Sequence, residues 1–242
     1  DALALADLLG RDDLAASIMS LQGMISTAEG DVLGGLECFR LANQRAGEQK
    51  IVALQPTLCY WLGWIDQACR DGLRVVEIAR EIRDVTTLMM SLPCLGLSLA
   101  ACDRYAEAVE VFAEARRIGS QHKITALLSR AISMETGWHI DVFDYQGAEA
   151  IANEAYDLAA SAQYVPPMVS ASLDRLFLAL HRGEIEHVKA HLDPLRLLIE
   201  KAAGWHEWIW NLRLTVLRAT LALARGEFQE ALRLLPNVIH QA

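Results

Sequence analysis

The chain is short of positive charge: 22 Lys and Arg stand against 31 Asp and Glu over 242 residues, a formal charge of −9. A surface that binds nucleic acid needs a positive balance or a basic stripe, so direct nucleic-acid contact is not expected. Proline is scarce, at 6, and glycine moderate, at 15. No Ser-, Gly- or Pro-rich tract divides the chain, so no linker or low-complexity segment is expected. β-branched runs are missing as well, which argues against strands.

Cysteine is present five times, as Cys38, Cys59, Cys69, Cys94 and Cys102, without a CxxC pair. An odd count in a chain of this size points to reduced, buried thiols rather than a disulfide framework or zinc site. Nucleophile and phosphate motifs are missing: there is no GxSxG, GxxxxGK[ST], GxGxxG or HExxH. An enzyme reading therefore has no residue to rest on, and neither a catalytic group nor a cofactor is expected. Long apolar runs are missing too. The longest stretch free of charge takes in Thr86 to Cys102, and Pro93 interrupts it. Its length is at the lower limit for a membrane span, so the stretch reads as a buried helix and no membrane contact is expected. The start, Asp1-Ala2-Leu3-Ala4, has no Met and no basic leader. A cytoplasmic fragment of a larger multidomain protein is the expectation, with neighbouring domains of the same polypeptide as partners.

What is present is apolar side chain, 53% of all residues, which excludes a disordered chain. Alanine and leucine dominate, favouring helices throughout. The apolar residues follow an internal repeat. Its clearest copy runs from Asp103-Arg104-Tyr105 through Glu114-Ala115: a polar turn, then a helix with small and large apolar residues at helical spacing. Related units start at residues 30, 70, 143, 183 and 226. Small residues early in each second helix allow close approach to the first: Gly35, Val75, Ala108, Ala148, Val188 and Ala231. Four positions on come Phe39, Ala79, Phe112, Ala152, Leu192 and Leu235, and then Ala42, Ile82, Ala115, Ala155, Leu195 and Val238. This i, i+4, i+7 set is an amphipathic stripe. Two turns of helix before the polar turn, the first helices carry Gly23, Gly63 and Gly96, two of them in the pairs Leu62-Gly63 and Leu95-Gly96.

The Leu-Gly pair on the first helix and the Ala…Phe…Ala spacing on the second resemble the tetratricopeptide repeat (TPR). The resemblance covers about residues 16–242 and is best in Met89–Gly119. It implies an all-α, right-handed TPR-like solenoid of about six helical hairpins, with one more short helix from Ala2 to Leu9 and about thirteen helices in all. It implies a single superhelical domain over residues 1–242. The long units further resemble the repeat region of MalT-like, LuxR-type bacterial transcriptional regulators, where such repeats act as a sensor. The function implied is a ligand- or protein-binding sensor or scaffold of a transcriptional regulator, with a stand-alone protein-interaction adaptor as the alternative.

In tetratricopeptide folds the first helices line a concave groove. Carrying those positions over gives Tyr60, Trp64 and Gln67 in the second unit, Arg130, Ser133 and Asp141 in the fourth, Phe177 and His181 in the fifth, and Arg213 in the sixth. Met24, Met90 and Leu97 complete the surface. Such a lining suits a peptide, a partner helix or a small amphipathic effector. The four lysines, Lys50, Lys123, Lys189 and Lys201, fall on none of these positions, so a clamp for a C-terminal carboxylate is not expected. Trp205, Trp208 and Trp210 read as packing at a helix start. His187 and His191, spaced i, i+4, lack a third ligand and read as surface residues. Pro166-Pro167 reads as a hinge or bend before the fifth unit. A solenoid with uncapped ends suits a homo-oligomer.

Overall fold

The computed structural model describes residues 2–46, 54–202, 204 and 207–241, with side chains described as far as residue 235. Among them are thirteen α-helices and no strand: α1 (Ala2–Leu8), α2 (Asp12–Ala28), α3 (Val32–Ala46), α4 (Gln55–Trp61), α5 (Ile65–Glu81), α6 (Val85–Ala101), α7 (Tyr105–Gln121), α8 (Thr125–Asp141), α9 (Tyr145–Ser161), α10 (Val165–His181), α11 (Ile185–Lys201), α12 (Glu207–Ala224) and α13 (Phe228–Gln241). After α1 they pair as six hairpins, α2–α3 through α12–α13. The fold is an all-α, TPR-like helical repeat. No described helix is long and apolar enough to cross a membrane.

The repeat is more regular than the residue pattern shows. Left-handed residues occur at Gly63, Arg83, Asp103, Lys123, Phe143, Gln163 and Gly183. The step from each to the next is constant and consists of one helix and one short turn. The turns share one hydrogen-bond scheme. At Asp103, for example, the Asp103 N–H donates to Ala100 O at 3.0 Å and the Arg104 N–H to Leu99 O at 2.9 Å. The pair satisfies the last carbonyls of the helix and requires positive φ at the turn residue. The residue that closes this motif is also the N-cap of the next helix, so the chain reverses with no residue to spare.

Five of these left-handed positions carry side chains, where glycine would be unstrained. Left-handed φ costs about 1–2 kcal/mol in a residue with Cβ, and glycine gives part of that back in unfolded-state entropy. Replacing exposed Lys123 by Gly is therefore expected to raise the unfolding free energy by about 0.5–1 kcal/mol. Urea melts of the two proteins check this, and a loss of stability would contradict the turn assignment.

Two compact units divide the chain, residues 1–131 and 132–242. In the first, glycine permits two close helix crossings. A Cβ on Gly23 would lie 2.6 Å from the ring of Phe39, and one on Gly96 would lie 2.7 Å from the ring of Phe112. Both rings are fully buried. The expected stripe is buried here at Gly35, Ala108, Phe112 and Ala115. The uncharged stretch is α6, whose central residues are almost all buried. Pro93 lies inside it and the helix continues through, with the missing N–H leaving Met89 O without its usual intrahelical donor.

The second hairpin corrects the register. Its turn lies at Leu62–Trp64, not at residue 70, and Arg70-Asp71-Gly72 is in the middle of α5. Gly63 is therefore the left-handed turn residue, with open space around its Cβ position, and not a packing glycine on a first helix. Counting from Gly63 puts the stripe at Ala68, Gly72 and Val75, all buried, whereas Ile82 caps α5 and is 66% exposed. An Arg-Asp-Gly sequence looks like a turn by composition. Here apolar burial on both sides of Gly72 holds it in helix, and a Cβ there would come within 3.2 Å of Leu95.

In the second unit Ala148, Ala152 and Ala155 are fully buried, as are Val188 and Leu195. Leu192 is half-buried, and Leu235 on α13 is partly exposed. Trp210, Leu214, Leu217 and Leu221 of α12 pack with Val169, Leu173, Leu176 and Leu180 of α10. Pro166 and Pro167 stand in the first turn of α10, where their missing N–H groups cost nothing. Trp205 and the Val238 side chain lie outside the described residues.

Candidate functional site

In each unit two first helices of successive hairpins touch directly. In the second unit α10 meets α12, and in the first α4 meets α6. A side chain on one first helix can therefore reach back to the helix before it. Two arginines do so in the same register. Arg130 precedes its hairpin turn at Phe143 by the same interval that separates Arg213 from Gly226. Each reaches the equivalent position on the preceding first helix, Cys94 before the turn at Asp103 and Asp174 before the turn at Gly183.

What they find there differs. Arg130 donates to Cys94 Sγ at 3.6 Å and to the carbonyl of Met90 at 3.2 Å. Thr57 donates to the same sulfur at 2.8 Å. This group is neutral apart from the guanidinium. Arg213 instead forms an ion pair with Asp174, whose side chain is 4% exposed against 38% for the arginine. Burial holds the Asp174 carboxyl above the usual carboxylate range, and Arg213 offsets part of that rise.

Asp174 belongs to a stripe on α10. With Phe177 at i+3 and His181 at i+7 it lies along one face of the helix. The His181 ring is 4.4 Å from that of Phe177 and 4.9 Å from that of Tyr145, and Tyr145 is 6.2 Å from Phe143. Asp141, the last residue of α8, completes the group. Its carboxyl is also raised, first by partial removal of water and then by the charge of Asp174, with Arg213 acting the other way. Among the described residues Asp141 has no hydrogen bond or ion pair. The second unit thus places one free carboxylate near an ion pair of buried Asp174 with half-buried Arg213, with two aromatic rings alongside. Phe177 is half-buried and His181 is exposed.

Of the positions expected from sequence, Asp141, Phe177, His181 and Arg213 come together here. Arg130 lies in the first unit with its own partners. Ser133 is buried, and Met24, Met90 and Leu97 are half-buried on α2 and α6. Tyr60 is half-buried on the first helix α4, as expected. Trp64 and Gln67 are not on a first helix. The corrected turn makes Trp64 the N-cap of α5, 49% exposed, and puts Gln67 inside α5. There Gln67 donates to Asp71 at 2.7 Å, and Gln55 of α4 donates to the other oxygen at 2.9 Å. Gln67 thereby helps fix α4 against α5.

Asp174 and Tyr145 escaped the sequence reading. Asp174 was detectable: a lone carboxylate in the largely apolar run Leu173–Leu180 is either paired or functional. Tyr145 carried no such signal, since it opens a second helix. Trp210 is buried and donates through Nε1 to Ser170 Oγ at 3.2 Å, in line with packing. His187 and His191 are exposed on α11 with their rings 4.2 Å apart, and His191 Nδ1 lies 2.8 Å from the His187 carbonyl. Among the described residues no three His, Cys, Asp or Glu side chains converge on a possible metal position.

No protein-family model and no curated protein matches the chain. Solved structures do. A Rap protein complexed with competence and sporulation factor matches over 94% of this chain and 65% of that one, with a TM-score of 0.79 and 12% identity. The apo form of RapI matches over 93% of this chain and 84% of that one, with a TM-score of 0.66 and 12% identity. This chain thus spans less than two thirds of the first of them. At such identity the likeness shows the fold, the TPR-like helical repeat, and does not extend to the MalT-like proteins.

Proposed function

We propose that the chain is a peptide-binding helical-repeat domain whose ligand carries a basic side chain. The observation that carries this is the unpaired Asp141 carboxylate beside Asp174 and Arg213. The three formal charges sum to −1, so the site complements a cation. The neighbouring Phe177 and His181 rings offer an apolar shelf for a flanking residue. Asp174 is already taken by Arg213, which leaves Asp141 as the acceptor. Support from the comparisons is limited to one of the two similar folds having been solved with a factor bound.

The test is a library of short peptides panned against the chain. Enriched sequences are expected to carry Lys or Arg next to an apolar residue. Asp141→Asn should weaken them about tenfold, the equivalent of one exposed charge-assisted contact. Enrichment of acidic peptides, or affinity indifferent to Asp141, would refute the proposal.

The wider role proposed is a cytoplasmic, non-enzymatic sensor within a multidomain bacterial transcriptional regulator. A stand-alone protein-interaction adaptor is the alternative, with which the two similar folds are equally compatible. Deleting the repeats from the full-length protein is expected to abolish its response to effector.

A further inference from the structure

Arg130 differs from the arginines of the surface. Arg11, Arg40, Arg104 and Arg233 each pair with a carboxylate two or three residues away. Arg130 is half-buried, and its partners are neutral: the Met90 carbonyl and Cys94 Sγ. A guanidinium carries five N–H donors. Two are used, which leaves three without an acceptor among the described residues. The two bonds also hold the planar fork in one orientation, so little side-chain freedom remains to be lost on binding.

The second unit shows what an arginine in this register takes. Cys94 stands at the position equivalent to Asp174, and there Arg213 binds the carboxylate. In the first unit a thiol replaces the acid, and Thr57 donates to its sulfur at 2.8 Å. The chain thus supplies the cation and not the anion. The flanks are apolar. From Ser91 to Ala100 every residue of α6 is buried except Leu97. Met90, Cys94 and Leu97, at i, i+4 and i+7, share one face of the helix, and Met90 and Leu97 are half-buried.

We propose that Arg130 recognises the carboxylate of an apolar acid, which takes the role toward Arg130 that Asp174 plays toward Arg213. Met90 and Leu97 receive the apolar part. One guanidinium in neutral surroundings matches a monoanion. A phosphate, with about two negative charges near neutral pH, exceeds that match. The site is a single fork and not a lysine clamp. It is opposite in charge to the Asp141 group and lies in the other unit, so it stands apart from the function proposed above. The carboxylate belongs either to a chain terminus or to an acidic side chain next to an apolar residue.

The test is an NMR titration of the chain that follows the Arg130 Nε–H and Met90 methyl signals. The probes are N-acetyl-leucine, N-acetyl-leucinamide, a Leu-Glu dipeptide capped at both ends, and inorganic phosphate. N-acetyl-leucine is expected to give a saturable shift and its amide none. The capped dipeptide separates the two sources: a shift supports side-chain carboxylates as ligands, and its absence beside a shift with N-acetyl-leucine supports a chain terminus. Arg130→Gln should weaken binding at least about tenfold, read at Met90. Cys94→Asp should do the same by supplying an internal acid, as Asp174 does. Arg117→Gln, which removes an exposed charge on α7, should change nothing. Circular dichroism confirms that each variant is folded. An equal response to the amide, tighter binding of phosphate, a shift that survives Arg130→Gln, or no saturable shift at all would each overturn the proposal.

Discussion

Phe112→Ala is expected to lower the unfolding free energy by about 4 kcal/mol, within the range for an aromatic ring removed from a packed core. The ring is 1% exposed and lies on the Cα of Gly96 across the α6–α7 crossing. Its loss leaves a void that two rigid helices close only in part. The neighbouring hairpins show how the void can be filled. The positions of Gly96 and Phe112 are taken by Thr136 and Ala152 in the fourth hairpin, by Leu176 and Leu192 in the fifth, and by Ala219 and Leu235 in the sixth. At these positions side-chain volume shifts from the second helix toward the first. Gly96→Thr alone should also destabilise strongly, because a Cβ there would sit 2.7 Å from the ring. Combined, Gly96→Thr and Phe112→Ala copy the fourth hairpin, and the double variant should recover at least about half of the sum of the single losses. Urea denaturation of the four proteins checks the cycle, and strict additivity would show that residues 96 and 112 do not share one space.

Arg213→Met is the second large effect. It leaves Asp174 buried without its cation, for which a cost of about 3 kcal/mol near pH 7 is expected. The pH dependence gives the assignment its signature. Burial raises the folded-state Asp174 carboxyl above its unfolded value. A group of this kind contributes stability at low pH that is lost as pH rises from the unfolded value, about 3.9, through the raised folded one. Removing Arg213 raises the folded value further, so the variant's loss extends to higher pH. The gap between wild type and Arg213→Met should therefore narrow as pH falls from 7.5 to 4.5, because proton uptake by Asp174 lessens its need for a partner. Denaturation at the two pH values measures this. A gap that stays constant, or widens in acid, would show that the ion pair is not what Arg213 contributes.

Much of the fold was legible because packing imposes its period on the residues. Small residues at positions 35, 108, 148, 188 and 231 can only be explained by a nearby helix, and they set five of six hairpins correctly. The second hairpin was misplaced for a physical reason. Its turn glycine, Gly63, follows a leucine, as a packing glycine would, and its mid-helix Gly72 follows Arg-Asp, as a turn glycine would. Composition around a single glycine does not distinguish positive φ from close approach, whereas the constant step from turn to turn does. The same slip moved Trp64 and Gln67 off the first helices. The site was legible where it depends on helix periodicity, as in Phe177, His181 and Arg213. The Asp174–Arg213 pair was not, because its members are remote in sequence and meet only once two hairpins are stacked.

The recurrent helix length and its short reversal have a consequence for how such a chain can grow or shrink. A helix such as α7, with 17 residues, makes about 4.7 turns. Removing or adding a few of them rotates everything downstream about the helix axis and aims its greasy side at water. A whole hairpin can be duplicated or lost without that penalty. Growth is thus quantised, and spare length is tolerated in a connection, as between α11 and α12, where it leaves the phase of either helix unchanged.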